Sequence, residues 1–274
     1  MMKKYSDFSK GSEWNKWDLH VHTPCSITHH YGENNDETWE KYITDLEALA
    51  PEFVALGIND YLFLDGYERI LDFKNQRRLS NIKLLLPVVE FRISHFAGVD
   101  FGRFKRINLH VIFADETQLS LSTIKSQFLN TLEQSYKLES NGSEWHHAIT
   151  KESITELGRK IKASIPLDQL SRYGSDLEEG FNNLNIPHEK IFESLAKPCF
   201  KGKYLICIGK TEWDEFKWTE GSIATKKDII NRANIVFTAA ESVEKYDGAK
   251  KKLTDAHVNN LLLDCSDAHQ YSNV

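Results

Sequence analysis

Cysteine is scarce in this sequence, and so are the long apolar runs of a membrane protein. The chain of 274 residues holds four cysteines, at positions 25, 199, 207 and 265, with no C-x-x-C pair. This spacing argues against a disulfide framework and favours free thiols in a reducing cytosol. No run approaches about 18 apolar residues, and the start, MMKKYSDFSKGSEW, lacks the apolar stretch of a signal peptide. We therefore expect a cytoplasmic protein with no membrane partner.

A surplus of basic residues and a nucleotide-binding loop are missing as well. The net charge is −6, whereas a nucleic-acid binder usually carries a basic footprint. Basic clusters at 77–78, 103–106 and 250–252 are predicted to be solvated faces. A local patch could still hold a short strand of nucleic acid beside a metal site, because the charge of the metal neutralises phosphate. The pattern G-x-x-x-x-G-K-S/T does not occur, so nothing in the sequence indicates an ATP-binding loop.

The sequence does contain a series of short apolar runs of strand length. They alternate with helical patterns such as 36–50, where apolar residues recur every three or four positions up to Pro51. Strands that alternate with helices predict parallel βα units, and near-continuous apolar strands are typical of a sheet covered on both faces. We therefore predict one α/β barrel domain over residues 1–274. The seven runs are WDLHVH (17–22), FVALGIND (53–60), IKLLLPVVE (82–90), INLHVIFAD (107–115), YLICIGKTE (204–212), NIVFTAAES (234–242) and NLLLDCSDAH (260–269).

One interval is too long for a single connection between a strand and a helix. About ninety residues separate the fourth run from the fifth. Within that interval, residues 140–200 combine short helical patterns with scattered glycines and prolines. We predict an insertion or small subdomain at about 140–200, between strands 4 and 5. It could shape a substrate pocket over one end of the barrel, or it could be a structural elaboration alone.

Histidine and carboxylate side chains recur at the ends of the predicted strands. In a closed parallel barrel the carboxyl ends of all strands open on one face, so residues distant in sequence converge there. His20 and His22 are two positions apart and point to the same side of their strand. Asp267 and His269 repeat this spacing on the last strand, which lies next to the first in a closed barrel. The six ligand-type residues are His20, His22, Glu90, His110, Asp267 and His269.

These residue types are the ligands expected of Zn²⁺, Mn²⁺ or Fe²⁺. Each histidine alone would more often be an ordinary core or surface residue, but six ligand-type residues at the ends of four strands favour a metal centre. A carboxylate such as Glu90 can bridge two ions, and two ions about 3.5–4 Å apart can clamp a phosphoryl group. We therefore predict one or two divalent ions, Mn²⁺ or Zn²⁺, with Fe²⁺ as the alternative.

Five segments resemble the motifs of the PHP (polymerase and histidinol phosphatase) domain. They are DLHVHTPCS (18–26), VALGINDYLFLDG (54–66), LLLPVVEFRI (84–93), INLHVIFAD (107–115) and LLLDCSDAH (261–269), in the order of the family. The resemblance implies a distorted (β/α)7 TIM-like barrel that hydrolyses phosphomonoesters or phosphodiesters with two or three metal ions. The implied ligands are His20, His22, Glu90 and Asp267 for one ion, and Glu90 and His110 for a second. His269 would belong to a third position or orient the substrate.

The sequence departs from the family at two ligand positions. The second motif normally ends in Thr-Asp-His but reads Asn-Asp-Tyr at 59–61, so a histidine is missing. The fifth strand normally delivers another histidine, whereas this chain has Thr211, Glu212 and Asp214 there. A complete trinuclear site is therefore not expected. Two histidines, His29 and His30, fall just beyond a further ligand position of the family, and His146, His147, His188 and His257 match no motif and are predicted to be structural.

The amino-acid sequences of the motifs are most similar to those of one branch of the family. DLHVHTPCS, the tyrosine after the second-motif aspartate, HVIFAD, W-x-x-GSIA and CSDAH resemble PHP domains fused to SMC-like or AAA-like ATPases. Some of those proteins belong to bacterial antiphage defence systems. This resemblance implies that the chain is the N-terminal portion of a longer protein with an ATPase.

Two hypotheses for the function follow. The first is a nuclease-like phosphoesterase in which a metal-bound hydroxide attacks phosphorus, with Asp60 and Arg92 as candidate catalytic residues. Arg92, two positions past Glu90, could bind a phosphate oxygen or form a surface salt bridge. The second is a degenerate sensor or interaction module that binds metal or nucleotide weakly and regulates an attached ATPase. The retained ligand-type residues favour the enzyme, with nucleic acid or another phosphoester as its substrate, and the oligomeric state stays open.

Overall fold

A computed structural model describes residues 15–96, 106–209, 223–240 and 242–271. The expected polar end of the fifth run (Thr211, Glu212 and Asp214) and the basic residues 103–105 lie outside these ranges. The strands are β1 (Lys16–Val21), β2 (Phe53–Asn59), β3 (Leu84–Phe96), β4 (Arg106–Phe113), β5 (Glu133–Tyr136), β6 (Trp145–Ala148), β7 (Tyr204–Ile208), β8 (Ile235–Thr238) and β9 (Leu262–Asp264). The helices are α1 (Asp36–Glu47), α2 (Asp65–Asn75), α3 (Leu121–Gln127), α4 (Lys151–Lys162), α5 (Asp176–Asn183), α6 (His188–Leu195), α7 (Ile223–Arg232) and α8 (Val243–Asp255). None of these helices has the length and apolar character needed to cross a membrane.

The seven predicted apolar runs form the seven strands of one sheet. Their order in the sheet is β1-β2-β3-β4-β7-β8-β9, and β5 pairs with β6 in a separate hairpin. The sheet is nearly closed, because Val21 at the end of β1 forms a parallel bridge with Ala268 beyond β9. The backbone N–H of His22 donates to the carbonyl of Ala268 at 3.0 Å. The fold is therefore a mixed α/β structure built on a barrel-like sheet.

The expectation that all barrel strands run parallel is wrong for β4. This strand is antiparallel to both β3 and β7, with Glu90 opposite His110 and Cys207 opposite His110 on the other side. Only residues 97–105 connect β3 to β4, and a parallel connection needs a crossover of a dozen or more residues. The carboxyl end of β4 therefore lies at the opposite end of the barrel, and His110 reaches the shared face from within its strand. We call that face, at the carboxyl ends of the other six strands, the carboxyl rim.

Two apolar layers hold the barrel. The larger packs the helices against the outside of the sheet; in α1, for example, Trp39, Tyr42, Ile43 and Leu46 are all buried. A smaller layer fills the inside with one residue each from β1, β3, β4, β7 and β8, namely Leu19, Val88, Ile112, Cys207 and Phe237. The ring of Phe237 lies 5.7 Å from that of His20 and 5.3 Å from that of His110. The inner layer is therefore the apolar floor beneath the histidines of the carboxyl rim.

The segment 114–203 connects β4 to β7 and contains the predicted insertion. Its two ends meet at the far end of the barrel, where the N–H of Ala114 donates to the carbonyl of Lys203 at 2.8 Å. Helices α4 and α5 pack closely because glycines face backbone, since a Cβ at Gly180 would lie 1.9 Å from the carbonyl oxygen of Ile154. The segment then reaches the carboxyl rim, where Ser94 donates its N–H to the carbonyl of Ile186 at 3.0 Å. This segment therefore spans the length of the barrel wall.

Candidate metal centre

The carboxyl rim brings together all six ligand-type residues. His20 lies on β1 and His22 directly follows that strand, while Glu90 and His110 face each other on β3 and β4. Asp267 and His269 follow β9, which the Val21–Ala268 bridge places beside β1. The Oδ1 atom of Asp267 lies 3.2 Å from Nε2 of His20 and 3.3 Å from Nε2 of His269. Residues separated by up to 249 positions in the sequence thus share one site, as the strand-end pattern predicts.

Two overlapping groups of these residues could each hold a metal ion. One consists of His20, His22 and Glu90, all buried, and the other of His22, Asp267 and His269. Within each group the ligand atoms lie within 4.8 Å of one another. Nε2 of His22 belongs to both, at 3.2 Å from Nε2 of His20 and 3.6 Å from Oδ1 of Asp267. An imidazole nitrogen has one lone pair, so Nε2 of His22 can bind one ion, and the two groups are alternative positions for that ion within a single centre.

Glu90 and His110 extend this centre toward β4. Oε2 of Glu90 lies 3.5 Å from Nε2 of both His20 and His110. Asn59 orients the carboxylate, since its Nδ2 donates to Oε2 at 2.6 Å. His110 is fully buried, and neither of its ring nitrogens has a hydrogen-bond partner among the described residues. Buried polar atoms are nearly always satisfied, so the unpaired imidazole fits a metal ligand.

The ionisation of the cluster also suits a cation. Burial opposes the charge on Glu90, but the neighbouring imidazoles of His110 and His20 outweigh it and hold the pKa of Glu90 well below its usual value. Burial lowers the pKa of His22 to about 4 and also lowers the pKa of His110. Burial also opposes the charge on His20 and His269, but their acidic and hydrogen-bonding neighbours outweigh it, so the pKa of His20 lies well above its usual value and that of His269 is raised. The cluster therefore combines an ionised carboxylate with neutral imidazoles at His22 and His110, which are the forms that bind metal, whereas a cation would displace the proton of His20.

Two residues of the site have left-handed backbone conformations, which are strained for side chains other than glycine. They are Tyr61 with φ 59° and Asp267 with φ 52°. The N–H of Tyr61 donates to Oδ1 of Asn59 at 3.0 Å, and its carbonyl accepts from the N–H of Glu90 at 2.8 Å. Its ring lies 4.8 Å from that of His22, so an aromatic wall stands beside the ligands. Such outliers persist where the surrounding structure holds them, and they concentrate at functional sites.

The structure does not bring Asp60, the expected catalytic residue, into this cluster. Its carboxylate is buried against Thr23, whose N–H donates to Oδ1 at 3.0 Å and whose hydroxyl donates to Oδ2 at 2.9 Å. The Thr23 hydroxyl in turn accepts from the N–H of Cys25 at 3.0 Å. Asp60 therefore fixes the loop that follows His22. Both carboxylate oxygens are engaged there, and Asp60 contributes no ligand atom to either group.

Asp60→Asn should flatten the pH dependence of stability. Burial raises the pKa of Asp60 from 3.8 to about 7, so its contribution is fully present below pH 3.8 and is lost as the pH rises to 7. Between pH 5 and 7.5 we expect the wild type to lose about 2 kcal/mol of unfolding free energy relative to the variant. Urea unfolding of both proteins at several pH values measures this difference. Parallel pH profiles would show that Asp60 ionises in the folded protein without cost.

Arg92, the second candidate catalytic residue, lies just outside the ligand cluster. Its Cζ atom is 4.4 Å from the ring centre of Phe181 and 5.6 Å from that of Tyr61. Nη1 donates to Oδ1 of Asn182 at 2.6 Å. The alternative of a surface salt bridge is not found, since no carboxylate of the described chain pairs with Arg92 within 4.0 Å. Its side chain therefore stands between the metal centre and α5.

Three residues that support the ligands were missed at the level of sequence. Asn59 orients Glu90, and the hydroxyl of Ser26 lies 2.9 Å from Nδ1 of His22. Nδ1 of His269 donates to the carbonyl of Thr28 at 3.0 Å, which leaves Nε2 free to bind a cation. Asn59 and Ser26 are polar residues close to predicted ligands, which is a weak signal. Thr28 contacts His269 through its backbone carbonyl, so the identity of its side chain does not indicate this role.

The remaining histidines contribute no ligand atom to either group. Nδ1 of His29 accepts from the N–H of Tyr31 at 3.3 Å, and His146 contacts Ser135 and Glu133 on the β5–β6 hairpin. The ring of His188 packs at 4.9 Å from that of His95. These contacts agree with the structural roles predicted for His146 and His188.

A small cleft of about 160 Å³ opens over the centre. Its size suits a phosphate-sized group, and its walls combine polar ligands with an apolar floor. The residues that line it are His20, Tyr61, Glu90, Asn108, His110, Gly209, Phe237, Ala239, Cys265, Asp267 and His269. No protein-family model matches the chain, and a search of curated proteins found no match either.

Proposed function

We propose that this protein is a metal-dependent phosphoesterase of the PHP type, with nuclease-like hydrolysis of phosphodiester bonds as its reaction. The observation that carries the proposal is the convergence of six ligand-type residues on one cleft of a barrel-like sheet. They come from strands far apart in the sequence, and two ligand groups overlap in His22. Burial of three imidazoles and a carboxylate in one place costs free energy unless a bound partner, such as a metal ion, compensates it.

The chain supplies defined groups for this chemistry. His20, His22, Glu90 and Asp267 would hold one divalent ion, and Glu90 and His110 would hold a second. Bound Mn²⁺, Zn²⁺ or Fe²⁺ neutralises phosphoryl charge and lowers the pKa of water. Asn59 keeps the Glu90 carboxylate in place.

Around these ligands the chain sets orientation and solvent access. The carbonyl of Thr28 holds His269 with Nε2 toward Asp267. Phe237 closes the floor of the cleft, and Tyr61 forms one wall. Charges in such a partly enclosed site interact more strongly than in water.

The biological setting that we propose rests on the motifs alone. Their amino-acid sequences resemble those of PHP domains fused to SMC-like or AAA-like ATPases, which supports a role in antiphage defence together with an ATPase. Nucleic acid in the cytoplasm would then be the substrate.

A degenerate sensor or interaction module is the second candidate function. One observation favours it: Tyr61 stands where the resemblance calls for a histidine, and its ring packs against His22. A module of this kind would bind metal or nucleotide weakly and regulate an attached ATPase.

Metal analysis followed by a substrate panel tests the proposed function. Protein purified without chelator and supplemented with Mn²⁺ or Zn²⁺ is expected to retain at least one ion per chain. The loaded protein is then incubated with single-stranded DNA, duplex DNA, RNA and p-nitrophenyl phosphate mono- and diesters. Hydrolysis that depends on the metal supports the enzyme. Less than one ion per chain overturns it, and a full metal load without hydrolysis favours the sensor.

A further inference from the structure

We propose that Arg92 and Arg106 form a second phosphate-binding subsite beside the metal centre, which holds the neighbouring phosphate of a polynucleotide chain. This inference rests on the proposed function, because it assigns the substrate class of that same site. It begins from two arginines on one face of the β3–β4 pair, next to the cleft.

The register of β3 and β4 places Arg92 in line with the metal ligands, and Arg106 lies beyond an irregularity in the pairing that follows Arg92. Glu90 lies opposite His110, and Arg92 lies opposite Asn108 in the next pair on the same face. Arg106 is two residues before Asn108, so its side chain emerges on that face as well. Asn108 itself lines the cleft. Along this face, the Glu90–His110 pair is followed by the Arg92–Asn108 pair and then by Arg106.

Arg92 is held rigidly but keeps most of its hydrogen-bonding capacity. Stacking on Phe181 at 4.4 Å and Tyr61 at 5.6 Å fixes the plane of the guanidinium. A guanidinium has five N–H donors, and the described residues engage one of them, through Asn182. A planar, fixed guanidinium with free donors is suited to bidentate contact with a phosphate.

Arg106 adds a second positive charge that carboxylates do not neutralise. It donates to the carbonyls of Asn182 and Leu184, just where α5 ends. In the described part of the chain, neither Arg92 nor Arg106 pairs with an acidic side chain within 4.0 Å. Both arginines donate to Asn182, Arg92 to its side-chain Oδ1 and Arg106 to its backbone carbonyl, so the two guanidinium groups are close. Two neighbouring cations without an acid between them are typical of an anion site.

The position of Arg92 on β3, two residues beyond Glu90, suits a phosphate next to the one at the metal centre. Two residues along a strand span about 7 Å, so Arg92 begins one such step from Glu90. Successive phosphates of an extended single strand are separated by a comparable distance. A phosphate at the metal centre would therefore place its neighbour near the arginines. A phosphomonoester without a second phosphate would leave them unused.

Binding of thymidine nucleotides tests the subsite directly. Protein loaded with Mn²⁺ is titrated by calorimetry with thymidine 3′,5′-bisphosphate and with each thymidine monophosphate. The wild type is expected to bind the bisphosphate about tenfold more tightly or better, because a charge-assisted contact is added. Arg92→Gln and Arg106→Gln should each reduce this preference to about threefold or less. Arg172→Gln, which removes an exposed charge from the insertion that contains α5, is the matched control.

The outcomes separate the subsite from the metal centre. Equal affinity of the wild type for mono- and bisphosphates, or a preference that survives in both glutamine variants, overturns the subsite. Metal content measured on the same samples reports on the proposed function independently. If Arg106→Gln fails to fold because α5 loses its carbonyl contacts, Arg92→Lys and Arg106→Lys replace it. These variants keep the charge but lose the fork of donors, so they should weaken the preference by an intermediate amount.

Discussion

Glu90→Gln is expected to remove most of the bound metal and to lower hydrolysis on the order of 10³-fold or more. The substitution keeps the shape of the side chain and the contact with Asn59, but it removes the negative charge shared by His20 and His110. Oε2 of Glu90 lies 3.5 Å from Nε2 of His20 on β1 and of His110 on β4, so the variant loses the anionic oxygen that both imidazoles approach. Metal content per chain and the rate on the best substrate of the panel measure the effect.

Glu52→Gln is the control for this change. Glu52 pairs with Lys16 at 3.1 Å on the surface, and its side chain is 43% exposed. Removal of an exposed ion pair costs little, so metal content and rate should match the wild type. A Glu90→Gln protein that retains its full metal load would show that the ions, if bound, use other residues.

His22→Ala should remove the ion that either ligand group holds, whereas His269→Ala should leave about one ion per chain. The reason is the sharing of His22: its Nε2 belongs to both ligand groups, while His269 belongs to one. We expect hydrolysis by His22→Ala to fall as far as that of Glu90→Gln, and hydrolysis by His269→Ala to fall roughly 10–100-fold. Metal stoichiometry after dialysis distinguishes the two variants. The rise in melting temperature on addition of Mn²⁺ gives a second readout, since ligand binding stabilises the folded state.

His146→Ala is the control for the histidine series. His146 lies on the exposed β5–β6 hairpin, where it contacts Ser135 and Glu133. Its removal should change neither the metal stoichiometry nor the response of the melting temperature. Equal losses in His22→Ala and His269→Ala would contradict the shared centre and point to one ion held by both residues together.

The strands were predictable from the sequence because they are buried on both faces. Residues such as Leu56, Val89 and Val111 are almost fully buried, so the runs that contain them read as continuously apolar. The direction of β4 was not predictable from its own composition. A strand reads the same in either direction, and the short connection 97–105 decides its orientation.

The ligand cluster was predictable to the extent that it follows strand periodicity. The i, i+2 pairs at His20 and His22 and at Asp267 and His269 are visible in the sequence, and the barrel order brings them together. Asp60 shows the limit of this argument. A polar residue at a strand end looks the same whether it faces the site or a neighbouring loop. Here hydrogen bonds from Thr23 hold the Asp60 carboxylate at the loop, and no local sequence pattern predicts these bonds.

The surroundings of Arg92 were beyond sequence reasoning for a different reason. Its partners Phe181 and Asn182 lie about ninety residues away, in a segment with no strand periodicity to place it. The bridge between Ile93 on β3 and Ile186 just after α5 brings these residues together in space. The expectation that Arg92 contacts phosphate therefore stays a prediction, which the nucleotide titrations test.

The adjoining ends of segment 114–203 have an evolutionary consequence. Because Ala114 and Lys203 are hydrogen-bonded neighbours, the segment leaves and re-enters the barrel at one place. Such a cassette can be lengthened, shortened or exchanged without a shift in the register of any barrel strand. Its other end supplies Phe181 and Asn182 to the arginine beside the metal centre. Descendants of this protein could thus acquire new recognition by remodelling a part anchored on the far side, while the strands preserve the ligands unchanged.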